Sequence, residues 1–287
     1  MPSITISFVI FLMITNVNAL TYMITGSTSG IGLHTVRRIA STMPSPNLII
    51  HGRKDEPAGL IDELTDLGAN SVKYFKADLS DIKSVEALGE KVVEFITSSD
   101  SHLDVLVNNA GEFDPTVKTT PQGYETTWAV NVLAPYILTS KVKTLLLESA
   151  RRGRKPRLIT TSSISQSYTM PPLEELGSLK DAHTAYEESK LGDRMLTVKF
   201  AELLPTVKCL CMDPGTVNTK MLLSGWGACG IPVDKADNTF KLAATEEGDK
   251  APTGSYLYGG RGSADADDPD KVNAMWNLVE TQASLPF

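Results

Sequence analysis

Cysteine is scarce in this chain, with three in 287 residues. Cys209 and Cys211 stand two apart in an apolar run and Cys229 stands alone, so neither a disulfide framework nor a four-ligand zinc site is encoded. Histidine is nearly as rare, with four, and no His, Cys and carboxylate cluster has metal-ligand spacing; no metal is expected. An excess of positive charge is lacking too. Lys and Arg number 27 against 34 Asp and Glu, a net charge of −7, which leaves no basic surface to neutralise a phosphate backbone and argues against nucleic-acid binding.

The apolar run Ile4 to Ile14 is 11 residues long, too short to span a bilayer comfortably. No Lys or Arg precedes it, so only the α-amino group supplies the positive region of a secretory signal, yet Val17-Asn18-Ala19 offers the small residues preferred before a cut. Residues 1–19 are therefore expected to be a signal peptide or hydrophobic leader. That places the protein in the endoplasmic reticulum or secretory pathway; otherwise it is cytoplasmic or membrane-associated through this segment. The competing reading is a buried or membrane-touching extra segment. With 41% hydrophobic residues, residues 20–287 can bury one sizeable core, and a single domain is expected.

What the chain does have is a glycine-rich junction. Tyr22-Met23-Ile24-Thr25 is β-prone, Gly26, Gly30 and Gly32 follow, and Leu33, Val36, Ile39 and Ala40 take up helical spacing. Strand, tight turn and helix in that order suit a pyrophosphate. Glycine lets the backbone come close, and the free N–H groups and dipole of the new helix attract the charge. Ordinary turns are also rich in glycine.

Downstream, strand-like and helix-like segments alternate. Leu48 to Ile50, Val72 to Phe75, Leu103 to Val107, Arg157 to Thr161 and Lys208 to Met212 read as strands; Leu60 to Leu67 and Ile82 to Ile96 carry helical stripes. This order predicts an α/β fold, a doubly wound parallel sheet of Rossmann type with helices on both faces and ligands at the carboxyl ends of the strands. Arg53, Asp78 and Asn108-Asn109-Ala110-Gly111 fall at such ends. Asp78 suits either an adenine amino group or a helix N-cap. A long helical region from about Tyr124 to Ala150 contains Pro135, which should kink or break it. The run Arg151, Arg152, Arg154, Lys155 reads as a solvated loop.

Of the eight tyrosines, only Tyr186 has a lysine four residues later. Residues four apart share a helix face, so Lys190 can bring its ammonium near the Tyr186 phenol and favour the phenolate. A surface pair of this spacing also arises by chance.

The segments Thr25-Gly26-x-x-x-Gly30-Ile31-Gly32, Asn108-Asn109-Ala110-Gly111, Ser163, Tyr186-x-x-x-Lys190 and Pro214-Gly215-Thr216-Val217-Asn218-Thr219, in that order, resemble the short-chain dehydrogenase/reductase family, closest to its retinol dehydrogenase and protochlorophyllide reductase branches. The resemblance runs from about Thr21 to beyond Thr219. It implies a catalytic set of Asn131, Ser163, Tyr186 and Lys190, with Tyr186 as general acid, Ser163 polarising a carbonyl, Lys190 tuning Tyr186 and binding ribose, and Asn131 supporting a water beside Lys190. It implies a nucleotide site at Gly26, Ser27, Ser29, Gly30, Ile31, Gly32, Arg53, Asp78, Leu79, Asn109, Ala110 and Gly111, with Tyr186, Lys190, Pro214, Gly215, Val217 and Thr219 at the nicotinamide end.

Three features depart from the common pattern: Glu187-Glu188 inside the tyrosine motif, Asp213 before Pro214, and a gap of 186 − 163 = 23 residues between Ser163 and Tyr186. Cofactor choice turns on Arg53, 53 − 32 = 21 residues beyond Gly32. An acidic residue there would hold a ribose 2′-hydroxyl, whereas Arg accommodates a 2′-phosphate. NADP(H) is the expected cofactor, against the reading that Arg53 and Lys54 are loop charges beside Asp55 and Glu56. Asn218 to Lys235, with Met221, Leu222, Leu223 and Trp226 between glycines, reads as a lid over a lipophilic small-molecule substrate or as an ordinary packed loop. A pigment reductase of the protochlorophyllide type and a non-catalytic dinucleotide sensor are the alternatives, and a homo-oligomer is left open.

Overall fold

A computed structural model describes residues 19–99 and 101–287. The leader segment 1–18 lies outside the described residues. Among the described residues, seven strands form one sheet in the order β3-β2-β1-β4-β5-β6-β7, all paired in parallel. They are β1 Thr21–Ile24, β2 Asn47–Gly52, β3 Ser71–Lys76, β4 Val105–Asn108, β5 Arg157–Thr161, β6 Lys208–Met212 and β7 Tyr256–Leu257. The helices are α1 Gly30–Thr42, α2 Leu60–Asp66, α3 Ile82–Ser98, α4 Thr126–Trp128, α5 Ala134–Arg151, α6 Ala182–Leu203, α7 Lys220–Gly225, α8 Asn238–Ala244, α9 Glu246–Lys250 and α10 Pro269–Ala283.

Successive strand residues point to opposite faces, and both faces are covered. Met23, Ile49, Leu106, Leu158 and Cys209 join a core with α3, α5, α6 and α10. Their neighbours Ile24, Ile50, Val107, Ile159 and Leu210 join a second core with α1, α2 and α8. This is the doubly wound arrangement the alternating pattern predicts. Truncating a fully buried residue such as Leu88 to Ala would cost about 2–5 kcal/mol.

Side-chain caps set several helix starts. Asp81 accepts from Lys83 N ahead of α3, Asp181 from Thr184 N ahead of α6, and Asp268 from Asp270 N and Lys271 N ahead of α10, where Pro269 takes the first position. The helix carrying Tyr186 thus begins at Ala182, four residues ahead of it, because Asp181 supplies the cap.

Pro135 does not break its helix. Between α4 and α5, Ala129–Leu133 forms a π-turn, closed by Ala134 N donating to Ala129 O. The wider turn accommodates a proline that has no N–H to give the Asn131 carbonyl four residues back. The basic run after α5 is also less solvated than its charge suggests, since Arg154 donates to Asp104 Oδ2 at 3.1 Å and to Ala19 O at 3.3 Å. Among the described residues, no helix is long and apolar enough to cross a membrane.

Candidate active site

The site is built at the carboxyl ends of β1, β2, β4, β5 and β6. At β1, Thr25 Oγ1 accepts from the backbone N–H of both Asn109 and Ala110 at 3.0 Å, and Asn109 Nδ2 donates to Thr25 O at 2.9 Å. The glycine turn and the Asn-Asn-Ala-Gly turn are thereby locked side by side. Gly26 has φ +65, and a Cβ there would lie 3.0 Å from Ala110 Cα; one on Gly32 would meet the Gly26 carbonyl and lie 2.6 Å from Asn109 Nδ2. Glycine is required at both positions. Ser29 precedes α1 and no side chain caps that helix, so the N–H groups of its first turn, at Gly30, Ile31 and Gly32, face the cleft with the helix dipole behind them. A cradle that a side chain would fill, beside an uncapped helix start, fits a dinucleotide pyrophosphate.

Ser27 serves that turn from inside. It is fully buried, its hydroxyl donating to Ile24 O and accepting from His51 N. His51 completes the brace: Gly26 N–H donates to its Nδ1 at 3.1 Å, and its Nε2 lies 3.2 Å from Ala77 O. The ring is therefore neutral with its proton on Nε2, and burial drives its pKa down to about 4. Asp78 Oδ1 is held by Ser80 N and Ser80 Oγ, while Asp81 is the N-cap of α3. Asp78 is thus exposed at the rim and free of capping duty, and Leu79 is buried beneath it. Arg53 is exposed at the end of β2, its Nη1 3.6 Å from Glu112 Oε2.

At the other end of the cleft, Lys190 is almost wholly buried, with 3% exposure. Its Nζ donates to Thr161 O and to Asp193 Oδ2, both at 2.8 Å, and lies 5.6 Å from the Tyr186 ring centre. Ser162 Oγ donates to Lys190 O at 2.7 Å, tying the end of β5 to α6. Ser163 is partly exposed, with its hydroxyl accepting from Ser165 N. Asn131 is buried. Its amide donates to Ser189 Oγ and Glu112 O, and its Oδ1 accepts from Glu112 N. A Cβ on Gly111 would lie 3.4 Å from Asn131 Oδ1, 3.4 Å from Met221 Cε and 3.7 Å from Lys190 Nζ. Four predicted residues, Gly111, Asn131, Tyr186 and Lys190, are thus brought together.

The segment after β6 folds back over them. Asp213, its carboxyl pushed up by burial, accepts from Gly215 N, and Gly215 turns at φ +88. Pro214 sits in this turn and Val217 is buried. Thr219 caps α7 and places its Cγ2 3.3 Å from where a Gly30 Cβ would be. Trp226, just past α7, packs on Tyr186 with ring centres 5.3 Å apart, on Phe113 at 4.7 Å and on His183 at 5.1 Å. Asn218 to Lys235 is therefore partly helical and forms an aromatic wall beside Tyr186. Sequence spacing gives no sign of Phe113, His183, His51 or Glu112, which arrive through tertiary structure. Ser189 and Asp193 flank Lys190 on the same helix, where helical spacing could have found them.

Residues 21–224 match the sequence family described as short chain dehydrogenase. Human polyprenol dehydrogenase is 28% identical over 256 residues, covering 82% of this chain and 76% of that protein. Human retinol dehydrogenase 12 is 29% identical over 204 residues, 70% of this chain and 62% of that protein. Among solved structures, NADPH-bound carbonyl reductase from chicken fatty liver superposes with TM-score 0.65 at 22% identity, over 83% of this chain and 91% of that one. An NADH-dependent reductase, A1-R′, complexed with NAD, gives 0.64 at 22%, over 83% and 94%.

Proposed function

From the premise that this chain belongs to the short-chain dehydrogenase/reductase family, and so is an oxidoreductase that binds a nicotinamide dinucleotide, we propose that it interconverts a carbonyl and an alcohol on a lipophilic small molecule using NADP(H). The observation that carries the reading is Tyr186 set between a buried, charged Lys190 and the aromatic wall of Phe113 and Trp226. NADPH, when bound, supplies the hydride. Tyr186 gives its phenolic proton to the substrate oxygen, Ser163 donates a hydrogen bond to that oxygen, and Lys190 holds its charge near the phenol. Asn131 fixes the loop after β4 against α6. In oxidation Tyr186 takes the proton back. The cofactor residues Gly26, Ser29, Gly30, Ile31 and Gly32 cradle the pyrophosphate, Asp78 and Leu79 border the adenine, and Arg53 receives the 2′-phosphate.

The apolar wall, and the polyprenol and retinol in the names of two relatives, support a substrate of that character. The test is turnover by the purified protein with NADPH and with NADH against retinal, a polyprenal, steroid ketones and long-chain aldehydes, with protochlorophyllide as a pigment control. Tight cofactor binding with no turnover of any of them would replace this reading with that of a sensor. The run Ile4 to Ile14 supports a secretory leader. Edman sequencing of protein from its own cells would then start at Leu20, and a start at Met1 would overturn that.

A further inference from the structure

Tyr186, Lys190 and Asp193 occupy positions i, i+4 and i+7 of α6, one stripe along the helix. Asp193 is 1% exposed and Lys190 3%. The carboxylate takes one N–H of the ammonium at 2.8 Å and Thr161 O takes another, which leaves one of the three for a ligand. An ammonium without a counter-ion at this depth would lose its proton readily, because burial disfavours its charged form. We propose that Asp193 is a positioning residue for proton transfer: its carboxylate keeps Lys190 charged and fixed against the end of β5, and through Lys190 it sets the readiness of Tyr186 to ionise.

Among the described residues, the surroundings supply no substitute. Arg194, the next residue on α6, turns away to Ser263 O and Asp267. On β6, burial drives the Cys211 thiol up to about 12, so it stays neutral. Asp213 feels Lys190 but is pushed up by its own burial, and the Tyr256 phenol beyond it is raised by burial as well. Asp193 is pushed up to about 6 by burial, against the pull of Lys190, and its Oδ2 meets the ammonium directly at 2.8 Å. Lys190 is raised above its ordinary value despite its burial, Asp193 being the foremost cause in that direction.

The inference rests on Tyr186 as the proton donor, but its test needs neither cofactor nor substrate, so a wrong substrate class leaves it standing. Phenolate absorbance is followed against pH in the apo protein, with the Tyr186→Phe form of each variant subtracted. Asp193→Asn is expected to raise the Tyr186 midpoint by about one pH unit, because the ammonium whose charge is lost lies 5.6 Å from the Tyr186 ring centre, while Asp193 acts on the phenol through that ammonium. An unchanged or lower midpoint overturns the proposal. Should that variant not fold, the wild type is labelled with 13C at lysine Cε and the Lys190 signal assigned by its absence in Lys190→Met. A signal that stays at the charged position to pH 10 is expected; titration below about pH 9 overturns the proposal.

Discussion

Arg53 Nη1 lies 3.6 Å from Glu112 Oε2, so the segments that follow β2 and β4 are bridged across β1, which lies between those strands in the sheet. Burial pushes the Glu112 carboxyl above the ordinary range while Arg53 pulls it back. The guanidinium is 64% exposed, and a 2′-phosphate would offer it paired, charge-assisted bonds that a lone carboxylate oxygen at this distance does not. Arg53→Asp should lower kcat/KM with NADPH about 100-fold and leave NADH within a few fold. Kinetics with both cofactors check this, and a wild-type preference for NADH would show the adenosine pocket to be misread.

Tyr186→Phe removes one hydroxyl from a ring packed by Phe113 and Trp226. Reduction should fall by at least about 1,000-fold while the dissociation constant for NADP+ changes less than about three-fold. Near wild-type turnover would sink the mechanism.

Trp226 is 38% exposed and touches Tyr186 from the solvent side. Trp226→Ala should raise KM for an apolar aldehyde about ten-fold with little effect on the melting temperature. An unchanged KM with a large fall in Tm would make the segment a packed loop and not a lid.

His51 makes the brace under the glycine turn acid-sensitive. Its folded pKa of about 4 lies below the ordinary 6.5, so between these values the unfolded chain binds a proton that the folded one does not. The resulting stability is whole above pH 6.5 and is lost as pH falls towards 4, on the order of 3 kcal/mol at the acid end. Urea unfolding of wild type and His51→Gln from pH 7 to 4 should show a shallower decline for the variant; parallel curves would remove His51 from the account.

Gly32→Ala would drive a methyl into the Gly26 carbonyl and the Asn109 amide. The turn must shift, which should weaken NADP+ binding at least about ten-fold and cost about 1–3 kcal/mol of stability. Equilibrium binding together with a melting curve checks both.

Much of the architecture was legible because parallel strands buried on both faces write themselves as short apolar runs: β6, Lys208–Met212, has the limits the sequence suggests. β7 was not, since two residues carry no period, and α8 and α9 are too short to show a stripe. At the site, the glycines and the Tyr186–Lys190 spacing were readable because backbone approach and helix geometry act over a few residues. Phe113 lies 73 residues from Tyr186 and Glu112 lies 59 from Arg53, and only the folded chain makes either pair neighbours. His51 lies just beyond the apolar run Leu48 to Ile50 and inside β2, Asn47–Gly52, and nothing local to it marks a buried brace.

The π-turn at Ala129–Leu133 makes this helix one residue longer than an α-helical path over the same span. Each helical residue turns the chain by about 100°, so removing one residue from the turn would restore regular pitch and rotate α4 against α5 by roughly that angle. Asn131 would swing off Ser189, and Trp128 off the Gln282 side chain it now donates to. A one-residue deletion that leaves the helix better formed would thus empty one corner of the site, and a family tree drawn from this chain should tolerate substitutions at Val130 and Val132 far more readily than a change in the length of the turn.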